Sequence, residues 1–367
     1  MRILMVSKAC LVGAYQTKLE EIARFDDVEL VVVVPPVWND AAGPIQLERS
    51  HIAGYKMIVD PIRFNGDYHI HHYPKLRHRL AQFRPHIVHI DEEPYNLATW
   101  LAWRHARAVK AKSLFFSWQN LQRQYPFPFS SMEKQVLQGV DYAIMGNQDA
   151  AQVWRNKGYD GPTKVIPQFG IDPDLFHPPA IRDSGRDFVI GSASRRLVIE
   201  KGVDLLLRAA AKLTGIWRVH IVGDGPERPN LEQLARELGI RDRVHFDKSI
   251  SSSSMPAFLQ QLDVLVLSSR TTPHWKEQFG RVLVEAMACE VPVIGSSSGE
   301  IPHVIGSAGL IFPEDNVAVL YTHLLELMQS VKLRRELGQR GRQHVLSLYT
   351  QRRIASQTVG VYREMMN

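Results

Sequence analysis

Short runs rich in Val, Ile and Leu alternate with helix-length segments along this chain, and the alternation occurs twice. In the first series Ile3 to Ser7 reads as a buried strand, Gln16 to Arg24 as a helix and Val28 to Val34 as a strand. Strand patterns return at Ile87 to Ile90, Ser113 to Ser117, Tyr142 to Met145 and Lys164 to Ile166. The second series runs strand Phe188 to Gly191, helix Val203 to Lys212, strand Arg218 to Val222, helix Asn230 to Leu238 and strand Val244 to Phe246. It continues with helix Met255 to Leu262, strand Val264 to Leu267, helix Phe279 to Ala288 and strand Val291 to Ile294. This βα rhythm implies an α/β protein with two doubly wound, Rossmann-like parallel sheets. At 367 residues the chain also exceeds what one core usually fills.

Between the two series lies turn-rich text, from Asp172-Pro173-Asp174 to the polar run Asp183 to Asp187. The expected division is a first domain over 1–172, a linker over 173–187, a second domain over 188–345, and a last helical segment over 346–367 that can cross back to the first domain. Open α/β sheets bind ligands at the carboxyl ends of their strands, so a cleft between facing domains is the expected site.

Composition removes several classes. No run of 18 apolar residues is present, and Cys10 and Cys289 are too few for a disulfide framework. The opening apolar run stops at Lys8, short of a signal sequence, so a cytoplasmic location is expected. A net charge of +6 suits phosphate-bearing ligands or the inner face of a membrane, but it is too mild for a nucleic-acid partner. A Rossmann dinucleotide fingerprint, a P-loop and a His-Glu-x-x-His zinc motif are all missing.

Asp172-Pro173-Asp174 reads better as a turn than as a metal motif. Gly295-Ser296-Ser297-Ser298-Gly299 fits a nucleophile elbow centred on Ser297, but Glu300-Ile301-Pro302 suits the required helix poorly, and a loop offering amides to an anion fits better. Arg196 and Lys201 lie between a strand and a helix N-terminus, the arrangement of a diphosphate socket. Gly223 in Val222-Gly223-Asp224-Gly225-Pro226 ends a strand in a glycine turn. Glu277 and Glu285 bracket a helix start at Phe279-Gly280, and a buried Glu285 needs a polar partner such as a ribose diol.

Taken together, Arg196-Leu197…Glu200-Lys201-Gly202, Val222 to Pro226, Glu277 to Gly280 with Glu285 to Ala288, Pro292 to Ile294 and Val165 to Asp172 resemble retaining glycosyltransferases of family 4, of GT-B fold. The resemblance implies a transferase moving a sugar from a nucleoside diphosphate, UDP before GDP, to an acceptor hydroxyl, with no cofactor or metal. By it, Arg196 and Lys201 hold the donor diphosphate, Glu277 and the Phe279-Gly280 amides the sugar, Glu285 the ribose, and Gly13 the diphosphate from the first domain. Gln119 stands where the family often has histidine, and an amide there positions the sugar without moving a proton. Glu92, Glu93 and Tyr95 follow a strand of the first domain, where the acceptor would be read, and a solvated acidic loop is the equal alternative. Two other readings remain: an epimerase or hydrolase of nucleotide sugars on the same fold, and a Ser297 hydrolase. A basic segment over 69–86, with Leu76, Leu80 and Phe83 on one helical face, raises peripheral membrane contact as a further expectation, beside the plainer one that its Leu stripe enters the core.

Overall fold

A computed structural model describes residues 1–40, 43–180 and 187–367. The chain divides into two compact units, Met1–Gly170 with Gln351–Asn367, and Ile171–Thr350. Unit 1 runs β1 (Arg2–Val6), α1 (Gly13–Ala23), β2 (Glu29–Val34), β3 (Val37–Asp40), β4 (Gly43–Gln46), β5 (Lys56–Val59), α2 (Leu76–Phe83), β6 (Ile87–Ile90) and α3 (Leu97–Ala108). It continues through β7 (Lys112–Ser117), α4 (Phe129–Gly139), β8 (Tyr142–Met145), α5 (Gln148–Asn156) and β9 (Thr163–Val165). Seven of these strands form one sheet in the order β5-β2-β1-β6-β7-β8-β9, and every pair in it is parallel. Ile3, Leu4, Met5 and Val6 are all buried, as a central strand covered on both faces requires.

Unit 2 runs β10 (Phe188–Arg196), α6 (Val203–Ala210), β11 (Trp217–Asp224), α7 (Arg228–Glu237), β12 (Val244–Asp247), α8 (Met255–Leu259), β13 (Val264–Leu267) and α9 (Arg281–Ala288). Then come β14 (Val293–Ser296), α10 (Ile301–Ile305), β15 (Leu310–Phe312), α11 (Val317–Gln329) and α12 (Val331–Leu348). Its parallel sheet has the order β12-β11-β10-β13-β14-β15. The first strand of each unit is thus central, with the strand order reversing beside it: between β1 and β6, and between β10 and β13. These are the switch points at which α/β sheets open a crevice.

The last helix, α13 (Gln351–Met366), returns to unit 1. Its Ile354, Ala355, Val359 and Tyr362 share a core with Ile3, Met5, Leu19 and Ile22, and the Tyr362 hydroxyl lies 2.7 Å from His89 Nδ1. Residues 346–348 still belong to α12, and the break falls at Tyr349-Thr350.

Several expectations need correction. Residues 181–186 of the expected linker lie outside the described residues, and the part before them is not free: Phe176 is buried in unit 2, where its carbonyl accepts from Arg342 at 3.2 Å. Strands β3, β4, β5 and β15 carry no run of β-branched residues longer than their own three or four positions, and periodicity passed over them. The helix expected from Phe279 starts at Arg281, because Gly280 takes a left-handed φ of 78° at its N-terminus. On α2 the apolar stripe faces inward: Leu76 and Leu80 are core residues and Phe83 packs against them, leaving no apolar face for a membrane. Arg79 there is neutralised by a two-point bond to Asp60, at 2.8 Å each. Among the described residues no helix is long and apolar enough to cross a membrane.

Candidate active site

In unit 2 the carboxyl ends of β10 and β13 frame a cavity of about 470 Å³, within the range of small-molecule sites. Arg196, Lys201, Glu277, Gly280 and Glu285 line it, with Ser194, Arg195, Ser249, Ile250 and Arg281. The turn that delivers Lys201 depends on Gly202, whose φ is 58° and whose missing Cβ would stand 2.0 Å from the Ser268 carbonyl oxygen. Ser268 Oγ donates back to the Gly202 carbonyl at 2.8 Å. Arg270 fastens the other side, donating to both oxygens of Asp204 at 2.6 and 2.8 Å while its amide donates to the Glu200 carbonyl at 2.7 Å.

Lys201 Nζ donates to Glu277 Oε2 at 2.7 Å, and Ser269 Oγ donates to the same oxygen at 2.9 Å. The Trp275 ring lies 4.6 Å from the ammonium. Glu277 is set by its backbone as well: its carbonyl accepts the Glu300 amide at 3.1 Å, and Gly299 packs so tightly that a Cβ would lie 2.0 Å from that oxygen. The loop expected to present amides to an anion instead clamps Glu277. Ser297, the alternative nucleophile, is exposed and accepts the Glu314 amide at 3.1 Å, and the helix after it, α10, is only five residues long.

Arg196 ends β10 beyond an irregularity in its pairing with β11, and its guanidinium is exposed without a carboxylate partner among the described residues. Lys201 is therefore held by an acid, while Arg196 has no such partner among the described residues. Glu285 is 7 % exposed and forms an ion pair with Arg281, its Oε1 2.7 Å from Nε; burial pushes its carboxyl up and the guanidinium pulls it back. Arg281 was the partner that sequence reasoning missed, although it precedes Glu285 by one helical turn. Two expected residues do not line the cavity. Gly223 sits beside Val222, which does, and the Phe279 ring packs 5.6 Å from Tyr349. Asp172 accepts the Asp174 amide at 2.9 Å, a turn.

In unit 1, Gly13 begins α1, and its amide donates to Glu48 Oε2 at 2.6 Å, so a carboxylate occupies the position where a phosphate was expected. The Gln119 amide is likewise engaged: Nε2 donates to the Leu121 carbonyl at 3.1 Å, and Tyr125 donates to Oε1 at 2.9 Å. Beyond β6, Glu92 is 3 % exposed and paired with Lys8, with His71 at 3.5 Å. The Glu92 side chain is therefore not solvated: burial would raise its carboxyl, but the Lys8 ammonium holds it low, at about 2, so Glu92 is a structural anion. Glu93 accepts from Ser117 Oγ at 2.5 Å and from the Trp118 amide at 2.8 Å, yet burial pushes it up to about 7. Tyr95 is half-buried and stacks on Tyr125 with ring centres 4.2 Å apart.

Comparison with known proteins places this geometry. Sucrose-phosphate synthase from Thermosynechococcus elongatus superposes with a TM-score of 0.74 over 100% of this chain and 99% of that one, at 19% identity. Anabaena HepE, solved in complex with UDP and glucose, gives 0.74 over 99% of this chain and 100% of that one, at 18% identity. The fold is GT-B. Residues 182–344 match the family model described as glycosyl transferases group 1. The MMP alpha-(1->4)-mannosyltransferase of Mycolicibacterium hassiacum is 30% identical over 245 residues, 65% of this chain and 57% of that protein. The N-acetyl-alpha-D-glucosaminyl L-malate synthase of Bacillus anthracis is 34% identical over 229 residues, 62% and 52% of the two chains. The chain thus spans about half the length of the curated relatives it matches.

Proposed function

We propose that this chain transfers a hexose-type sugar from a nucleoside diphosphate to an acceptor hydroxyl, with retention of configuration and without a catalytic metal. The observation that carries the reading is the Lys201–Glu277 pair beside the unpartnered Arg196, inside a cavity of donor size. As the sugar leaves, negative charge grows on the terminal phosphate, and fixed cations stabilise that charge at little reorganisation cost. Arg196 and Lys201 serve this role. Glu277, fixed by Lys201 and Ser269, accepts from the sugar's hydroxyls, and Glu285 from the ribose. The sugar passes through an oxocarbenium-like state. Retention follows when the departing phosphate oxygen takes the acceptor proton on the same face, so no protein base is needed.

UDP is the first expectation for the donor, since HepE was solved with UDP and UDP-glucose. A GDP-mannose-dependent mannosyltransferase among the relatives keeps GDP-mannose in the test. Glu93 and Tyr95 are assigned to the acceptor; Glu92 is committed to Lys8. Purified chain is incubated with UDP- and GDP-sugars and a panel of hydroxyl acceptors, and the anomeric centre of the product is read by NMR. Acceptor-dependent release of nucleoside diphosphate with retained configuration is expected. Full-rate release without any acceptor would make the chain a hydrolase, and an inverted product would remove the same-face mechanism.

A further inference from the structure

The parallel ladder between β11 and β12 sets His220 opposite His245 and Val222 opposite Asp247. Residues paired across a ladder, and residues two apart along a strand, share a face. His220, His245 and Asp247 therefore project together at the edge of the unit 2 sheet, where β12 is the outermost strand. Their ends converge. His220 Nε2 lies 2.6 Å from Asp247 Oδ2, and His245 Nε2 lies 3.1 Å from Oδ1 of the same carboxylate. One ligand atom from each of the three falls within 4.8 Å of the others. The imidazole rings stand 5.0 Å apart at 76°, and Phe258 meets His220 edge-on at 5.0 Å, limiting how that ring can turn. The His220 side chain is 22% exposed, that of Asp247 43% and that of His245 69%, so an ion reaches the group from solvent without any unfolding.

Two imidazoles and a carboxylate are the donors that select a borderline divalent ion over Mg²⁺ or Ca²⁺, which prefer all-oxygen shells. We propose that His220, His245 and Asp247 bind a transition-metal ion of the Zn²⁺ class, with water in the remaining positions. Zn–N and Zn–O bonds of about 2.0–2.2 Å place tetrahedral ligand atoms roughly 3.3 Å from one another, a spacing that small side-chain rotations reach from the observed cluster. In the observed cluster each Nε2 donates to Asp247; to ligate the ion, each neutral imidazole shifts its proton to Nδ1 and turns the freed Nε2 lone pair to the metal. The site stands at the root of a cavity wall, because Asp247 ends β12 and the following loop contributes Ser249, whose Oγ donates to the Arg195 carbonyl at 3.1 Å. It is independent of the sugar-transfer reading and is tested without any donor.

The test is calorimetric titration of Zn²⁺ into untagged chain freed of metal by a chelator, with Co²⁺ absorption as a spectroscopic second readout. One equivalent of Zn²⁺ is expected. Loss of a mere supporting group around a metal already costs about 10–100-fold in affinity, so His220→Ala and His245→Ala should each cost at least that much. Circular dichroism of each variant confirms the fold, and the exposed His245 keeps the test readable should His220→Ala unfold the unit. Absence of binding to the unsubstituted chain overturns the proposal, as does equal affinity in a folded His245→Ala variant.

Discussion

Replacing Lys201 by methionine removes the ammonium and keeps most of the stem. At 2.7 Å from Glu277 and with an effective dielectric of about 20, the direct attraction is on the order of 6 kcal/mol. Desolvation takes back most of it, since the two side chains are only 20% and 11% exposed. A net coupling of about 1–3 kcal/mol remains, as for other contacting pairs. In a double-mutant cycle, Lys201→Met leaves a buried carboxylate that keeps Ser269, and Glu277→Gln leaves the ammonium against Trp275. The two single changes should together cost about 1–3 kcal/mol more stability than the double change. Chemical denaturation of the four proteins measures the coupling. Turnover separates the structural part from the chemical one: removing a charge that acts on the departing phosphate should lower acceptor-dependent release by about 10²–10³-fold at unchanged fold. Strictly additive stabilities would show that the pair does not form, and near-normal turnover in folded Lys201→Met would refute the diphosphate role.

Arg196→Ala should lose about 10²–10³-fold in turnover while unfolding at the same denaturant concentration, because its guanidinium is exposed and bears no protein charge; a large stability loss would contradict that placement. Glu93, raised from 4.5 to about 7, favours folding in its protonated form. Its contribution is therefore full at low pH and is lost as pH rises from about 4.5 through about 7, on the order of 3 kcal/mol in all. Glu93→Gln should flatten the stability profile across that window, and an unchanged profile would show that Glu93 is not desolvated. Gly202→Ala forces a Cβ to 2.0 Å from the Ser268 carbonyl at a φ of 58°, so the turn must shift. At least about 1–3 kcal/mol of stability should go, together with the Lys201 position, and a variant with unaltered melting and turnover would contradict the turn geometry.

The two sheets were legible because each central strand is buried on both faces and reads as a continuous apolar run, as in Ile3 to Val6 and Val264 to Leu267. The edge strands β5 and β15 were not: β5 has only four residues and begins at Lys56, which gives periodicity little to work with. In the site, Arg196, Lys201, Glu277 and Glu285 could be named because motif order ties them to strand ends. The groups that occupy them could not. Glu48 on the Gly13 amide, Ser269 on Glu277 and Lys8 on Glu92 are bonds across 35, 8 and 84 positions, and no local pattern encodes them. Glu92 shows the consequence: its own side chain, equally readable as solvated or as acceptor-facing, is buried beside Lys8 and His71. His220 and His245 were overlooked for the same reason, since they are neighbours only through the register of two parallel strands.

The return of α13 to unit 1 bears on how the chain is made. A ribosome delivers residues in order, and domains generally fold as they emerge, the first ahead of the second. Here unit 2 is one uninterrupted stretch, whereas unit 1 is split by it. The layer of Ile3, Met5, Leu19 and Ile22 waits for Ile354, Val359 and Tyr362, which leave the exit tunnel only after every residue of unit 2. The nascent chain therefore carries an uncovered apolar face on unit 1 until all of unit 2 has been made, and the later-made unit is the first to have all its parts in hand.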